Sequence, residues 1–200
     1  MLPKRKESGE HRRTSILHAA RTVFARNGYA NTVVEDIAVE AGIGKGTLYL
    51  YFPSKEQIYL AALLDDAREL DGKSRRAMAE ARTWQDALRA YVEVRFSYFD
   101  AHQDFLRIYM TEFRGMCMQG RPLSAELYRL AEAGEAQLAQ TFAAASARGE
   151  MRPLDAELAA TTVSDVTRGL VERRLRLWGR PVGPADAEFA VDMMCRALSK

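Results

Sequence analysis

Cysteine is almost absent from this chain. Cys117 and Cys195 are the two in 200 residues, far apart and without a Cys-x-x-Cys spacing. A disulfide framework and a zinc site of the usual ligand spacing are unsupported, and buried, inert thiols are the default. Histidine is as scarce: His11, His18 and His102 share no ligand spacing, and none stands beside a Ser or Cys in a recognisable catalytic arrangement. Paired carboxylates, metal ligands and an activated nucleophile are missing, so no enzyme is expected, and no cofactor. The glycines between 42 and 46 precede a helix but lack the preceding strand of a phosphate-cradling loop. No apolar run approaches the roughly 18 residues of a membrane span. The basic, polar amino terminus lacks the apolar core of a signal peptide. The expectation is a cytoplasmic chain with no membrane partner.

What is present is a helical chain with a lopsided charge. Hydrophobic residues make up 48% of it, enough for a sizeable core, and the formal net charge is +2. Residues 1–55 hold nine Lys/Arg against five Asp/Glu, whereas residues 56–200 hold twenty against twenty-two. The positive excess therefore lies at the amino-terminal end, with Lys4, Arg5, Lys6, Arg12 and Arg13 as a basic arm. Such an arm suits either a solvated tail or an adjacent minor groove. No segment alternates with period two over a convincing length. Helical spacing dominates, which predicts helices at about 10–27, 33–40, 45–51, 54–80, 83–100, 104–118, 122–147, 155–178 and 185–198. Thr83 with Asp86, Asp155, and the Gly183–Pro184 pair are the clearer start signals in the body of the chain.

Residues 31–57, NTVVEDIAVEAGIGKGTLYLYFPSKEQ, carry the most specific pattern. Thr32 and Glu35 have the spacing of a capping box. Val34, Ile37, Ala38 and Ala41 give the helix that follows an apolar face. Gly42 ends that helix, because glycine supplies the positive φ of a tight turn. Gly44 is a candidate N-cap for a second short helix, Pro53 limits its length, and Ser54 with Gln57 starts a long third one. Leu48 and Phe52, four residues apart, face inward together. Lys45, Thr47, Tyr49 and Leu50 then fall on other faces. Two short helices joined by a glycine turn, with basic, hydroxyl and phenolic groups on the second, are how a protein places a helix in the major groove of DNA. Lys45 can neutralise phosphate. Thr47 can bond a base edge or a phosphate, and its methyl can touch thymine. Tyr49 and Tyr51 can bond phosphates, and Gly46 lets the backbone approach the duplex. Lys55 is placed for a flanking phosphate.

These residues resemble the amino-terminal domain of the TetR/AcrR family of bacterial transcriptional regulators. The resemblance rests on Thr32, Asp36-Ile37-Ala38, Ala41-Gly42, Lys45-Gly46-Thr47-Leu48-Tyr49, Tyr51-Phe52 and Ser54-Lys55-Glu56. It extends back through Ile16, Ala20, Phe24 and the Asn27-Gly28 stop, covering about residues 12–60. It departs at Gly44, where the family commonly has Ser. Any phosphate contact there must come from the backbone N–H. The candidate DNA-binding set is Thr32, Gly44, Lys45, Gly46, Thr47, Tyr49, Leu50, Tyr51 and Lys55.

Further along, helix 83–100 carries Trp84, Leu88, Tyr91 and Phe99 on one stripe with Arg95 in its middle. Helix 104–118 carries Phe105, Ile108, Tyr109 and Met116 on another, with Glu112 in its middle. Burying either charge alone is costly, so the two either pair or face a cavity. A small-molecule pocket lined by Trp84, Tyr91, Arg95, Phe99, Phe105, Tyr109, Glu112, Phe113 and Met116 is the expectation carried forward. Gly134 sits centrally on the apolar face of helix 122–147. A glycine there weakens the helix, so either a closely packed neighbouring helix or a ligand is expected to use its space, close packing being the first expectation. Helix 155–178 is apolar on two sides and must be covered on both. The candidate dimer face comprises Val163, Val166, Leu170, Val171, Trp178, Phe189, Met193 and Met194. The resemblance implies the same, since family members usually pair through their last two helices as a four-helix bundle.

The sequence thus predicts an all-α chain. A three-helix helix-turn-helix DNA-binding domain at 1–53 precedes a larger helical ligand-binding and dimerisation domain at 54–200. The implied function is a homodimeric regulator, most simply a repressor. It would be released from a two-fold-symmetric double-stranded DNA operator by a small hydrophobic or aromatic effector. The alternative is a DNA-binding regulator switched by a protein partner with no small-molecule effector.

Overall fold

The computed structural model describes the backbone of residues 4–119, 125–173 and 183–200, and side chains within 9–111, 125–173 and 183–200. The described residues are mostly helical, in nine segments whose bounds lie near the predicted ones except at the first helix, which runs Lys4–Asn31 against a predicted 10–27. A single isolated bridge, Met151 to Ser199, is the one β-type pairing among them. The helices fall into two compact units. One comprises residues 1–66 and 103–124, the other residues 67–102 and 125–200.

The first unit holds α1 (Lys4–Asn31), α2 (Val34–Glu40), α3 (Lys45–Tyr51), the start of α4 (Lys55–Ala79) and α6 (Gln103–Gln119). Ile16, Leu17, Ala20, Val23 and Phe24 recur at helical spacing and are all buried, which is why α1 lies at the centre of this unit. Its regular helix is broken at Gly28, with φ 75 and ψ 161. Backbone from Lys4 onward is helical, so Arg12 and Arg13 ride on α1 rather than on an arm ahead of it. Arg21 ties α1 to α4 through Asp65, at 2.8 Å, and through the buried carboxylate of Asp66. Phe24, Tyr29 and Tyr59 form an aromatic cluster, with ring centroids of 24 and 59 at 4.9 Å and edge-on.

The predicted boundary at residue 53 is not where the contacts divide. The first turns of α4 belong with α1 to α3, and so does α6, which packs on α1. Nothing local in sequence marks this, because α6 is separated from α1 by four helices.

The second unit holds the rest of α4 with α5 (Trp84–Ala101), α7 (Ala125–Ala147), α8 (Ala156–Arg173) and α9 (Pro184–Leu198). Local chemistry sets their starts. The Thr83 hydroxyl accepts the Asp86 N–H at 3.0 Å. Asp155 accepts the N–H groups of Glu157 and Leu158, both at 3.0 Å. Asp186 accepts the Gly183 N–H at 3.0 Å, with Pro184 as the first helical residue. Trp84, Leu88, Tyr91 and Phe99 are buried as one stripe, and Trp84 meets Phe142 edge-on at 6.2 Å.

Candidate nucleic-acid interface

The turn between α2 and α3 is built by backbone bonds that glycine makes possible. Gly42 has φ 64. Its N–H reaches Val39 O at 3.0 Å, and the N–H of Ile43 reaches Ala38 O at 2.9 Å. These are the two bonds of a Schellman motif, and they set the angle at which the next helix leaves. Gly44 then caps α3 in an extended conformation. Leu48 and Phe52 are buried, as their spacing predicts, so the opposite face of α3 is turned outward.

That outward face carries Lys45, Gly46, Thr47, Tyr49 and Leu50, all exposed, with Tyr51 half-buried. A Cβ built on Gly44 or Gly46 would meet nothing within 4 Å. Lys45 is bonded to Glu35 on α2, and its Nζ lies 5.9 Å from the Tyr49 ring centroid. That bond holds the Glu35 carboxyl below its ordinary pKa and the Lys45 ammonium above its own. Both groups stay charged at neutral pH. A phosphate arriving at Lys45 competes with Glu35 for it.

Thr32 departs from its predicted role as a cap. Val33, not Thr32, is the N-cap of α2, and it makes no side-chain cap bond. The Thr32 hydroxyl donates instead to Gly28 O at 2.7 Å, and its N–H points to the same oxygen at 3.2 Å. The break at Gly28 brings that carbonyl within reach. With Glu35 held by Lys45, the reciprocal half of the capping box is gone as well. Thr32 is 1% exposed, so in this conformation it presents no hydroxyl to a phosphate. The Lys55 ammonium donates to Tyr29 O at 2.8 Å and Thr32 O at 2.9 Å, and lies 4.4 Å from the Tyr29 ring centroid. Two of its three donors therefore fasten the start of α4 to the turn after α1.

Within the second unit, Arg95 is part-buried. Its Nη1 donates to Ser74 Oγ at 2.5 Å, and its guanidinium carbon lies 3.5 Å from the Tyr91 ring centroid. A Cβ on Gly134 would stand 3.1 Å from Arg95 Nη2 and 3.7 Å from Tyr91 Cε2. The space left by Gly134 is thus filled by Arg95 and Tyr91, the close packing its position implies. Two buried polar atoms here, Tyr91 Oη and Trp84 Nε1, have no hydrogen-bond partner among the described residues. Phe105 and Tyr109 lie together in the first unit, with ring centroids 5.4 Å apart. The side chains of Glu112, Phe113 and Met116 fall outside the described residues, as does Trp178.

Ser74, fully buried beneath Arg95, was not legible as a site residue. Neither was the group formed by Glu69, Lys73, Tyr98 and His102. Lys73 bonds Glu69 at 2.7 Å, Tyr98 Oη donates to Glu69 at 3.1 Å, and His102 stacks on Tyr98 at 4.1 Å. The Glu69–Lys73 spacing of four residues was the one signal available.

Of the candidate dimer residues, Val163, Val171 and Met194 are buried within the protomer and serve as its core. Val166 and Leu170 are half-buried. Phe189 and Met193, one turn apart on α9, are 65% and 42% exposed, and Leu158 on α8 is 65% exposed.

Residues 16–62 match the model of the bacterial regulatory proteins of the tetR family. The transcriptional repressor KstR2 of Rhodococcus jostii is 37% identical over 113 residues, which is 55% of this chain and 54% of that protein. The chain spans about half or less of the length of the first curated relatives it matches. Among solved structures, the ketosteroid regulator KstR2 of Mycobacterium tuberculosis is 25% identical with a TM-score of 0.73, covering 94% of this chain and 95% of that one. FadR of Bacillus subtilis, solved with stearoyl-CoA, shares the fold with a TM-score of 0.80 at 21% identity, covering 90% of this chain and 96% of its own. The glycine turn, the inward Leu48 and Phe52 and the outward Lys45–Leu50 face lie inside the matched residues, so residues 16–62 are similar to the amino-terminal domain of the bacterial regulatory proteins of the tetR family.

Proposed function

We propose that the protein is a homodimeric, DNA-binding transcriptional repressor, released from a two-fold-symmetric operator by a small, largely apolar effector. The observation that carries this is α3. A helix of seven residues buries Leu48 and leaves Lys45, Gly46, Thr47, Tyr49 and Leu50 on the surface, at the angle the Gly42 turn imposes. Two copies related by a two-fold axis would offer two such helices to half-sites roughly 34–36 Å apart. The exposed Phe189 and Met193 on α9 and Leu158 on α8 support pairing through these helices, since exposed apolar side chains favour a second copy as cover.

For the effector, the support is Tyr91, Trp84 and Arg95. Buried polar atoms without partners are costly and mark places where a ligand group can be accommodated. Among the described residues, no helix is long and apolar enough to cross a membrane. Stearoyl-CoA, bound by the Bacillus subtilis FadR, and ketosteroids, named for the mycobacterial KstR2, each carry a large apolar portion and define the first panel of ligands to try.

The test is footprinting on the DNA upstream of the protein's own gene at a stated near-physiological salt, followed by ligand-induced release. Wild type is expected to give a two-fold-symmetric footprint that Thr47→Ala and Tyr49→Ala lose. A folded, dimeric protein that protects no DNA there and enriches no sequence from a random pool would overturn the reading. Among ligands that release the wild type, Arg95→Met is expected to raise the concentration required.

A further inference from the structure

We infer that α3 selects thymine, and that Leu50 does so by packing on the thymine C5-methyl group. The inference rests on α3 being the DNA-reading helix. Between Lys45 and Tyr51 there is no Arg, Asn, Gln, Asp or Glu. Those side chains make the bidentate or directional contacts that distinguish guanine, adenine and cytosine in the major groove. The single cation of α3, Lys45, is held by Glu35 on α2. What the helix projects furthest is apolar. Leu50 is 85% exposed, the most exposed of the large hydrophobic side chains described.

The local geometry suits a methyl group. Leu50 follows Gly46 by four residues and Thr47 by three, so the three share one face. Helical side chains lean toward the amino terminus, which carries the Leu50 isobutyl group back over Gly46. Gly46 has no Cβ, and one placed there would meet nothing within 4 Å. The result is a shallow step of bare backbone at Gly46, walled by Leu50 and edged by the Thr47 methyl. Missing bulk at Gly46 lets the helix sit close to the groove floor. There thymine alone presents a methyl group, the other bases presenting polar atoms. Leu50 against that methyl removes both from water. Leu50 against a polar base edge would leave the edge unpaired and dry. Specificity arises from the favourable contact and the unfavourable alternative together.

The experiment starts with sequences selected from a random duplex pool by the full chain. In the tightest duplex each thymine is replaced singly by deoxyuridine, which removes the methyl and keeps the base-pairing edge. One position in each half-site is expected to lose about fourfold in affinity, the worth of one buried methyl. Leu50→Ala, which disturbs no packing, is expected to abolish that difference at the same position and nowhere else. Thr47→Ser keeps its hydroxyl, loses its methyl and is expected to leave the Leu50 position methyl-sensitive. A selected sequence bound equally well with uracil throughout overturns thymine reading while leaving α3 as a DNA-reading helix. A uracil effect that persists unchanged in Leu50→Ala overturns the assignment to Leu50. Failure to enrich any sequence overturns the DNA-reading role and this inference with it.

Discussion

Gly134→Ala asks whether the contact between α7 and Arg95 is as close as it looks. In an unconstrained helix, replacing glycine by alanine stabilises by about 1 kcal/mol. Here the new methyl would stand 3.1 Å from Arg95 Nη2, closer than ordinary carbon–nitrogen contact. The guanidinium cannot simply swing away. It is bonded to Ser74 at 2.5 Å and lies over the Tyr91 ring at 3.5 Å. A charged hydrogen bond contributes about 1.5–3 kcal/mol and the stacked cation about 0.5–2 kcal/mol. Displacement by a few tenths of an ångström forfeits part of each, of order 1–2 kcal/mol in all. Gly134→Ala alone is therefore expected to be neutral to about 1 kcal/mol destabilising. In an Arg95→Ala background the obstruction is gone, and the same change should stabilise by about 1 kcal/mol. Urea unfolding followed by helical circular dichroism, at one fixed protomer concentration, gives all four corners of the cycle. The coupling energy should be about 1–2 kcal/mol. Additivity within about 0.3 kcal/mol would refute the reasoning, because it would mean the methyl and the guanidinium do not meet.

Three other outcomes follow from the same coordinates. Arg21→Met strips the cation from the Asp66 carboxylate, whose side chain is 4% exposed, and should cost about 3 kcal/mol in urea unfolding, with Asp66→Asn in the same background restoring part of it. Gly42→Ala forces an L side chain into φ 64 and should cost about 1–2 kcal/mol and weaken DNA retention, whereas Gly42→Asn, which tolerates that region, should cost less by the same two measurements. The Lys73 bond holds the Glu69 carboxyl below its ordinary 4.5, with the Tyr98 hydroxyl adding to it. A depressed carboxyl stabilises the fold above its unfolded pKa and loses that contribution as pH falls through the folded one. Glu69→Gln should therefore cost up to about 0.5 kcal/mol at pH 7, the side chain being half exposed, and the gap to wild type should close as the pH falls through the lowered folded-state pKa.

How much of this was legible depended on how far each signal reaches along the chain. Ser54, Thr83, Asp155 and Gly183–Pro184 mark helix starts correctly because a cap is completed within three residues of itself. Gly42 marks the α2–α3 turn for the same reason. Leu48 and Phe52 face inward because helical spacing alone places them on one side. Thr32 shows the limit. Its sequence offers two local partners, the start of α2 and the carbonyl of Gly28, and the break at Gly28 selects the second.

Whatever depended on residues distant in sequence was decided by the tertiary structure. Lys45 and Glu35 meet across the turn, ten residues apart, and Lys55 reaches carbonyls 23 and 26 residues away. Arg95 bonds Ser74, 21 residues before it, rather than any group its own stripe suggests. Val163, Val171 and Met194 have the same apolar character as Phe189 and Met193, and only packing determines which face the core of one protomer. Periodicity and capping are properties of a single helix, so the sequence by itself determined the helices, the turn and the face that α3 turns outward. Pairing between helices depends on how they cross, and that no local pattern records.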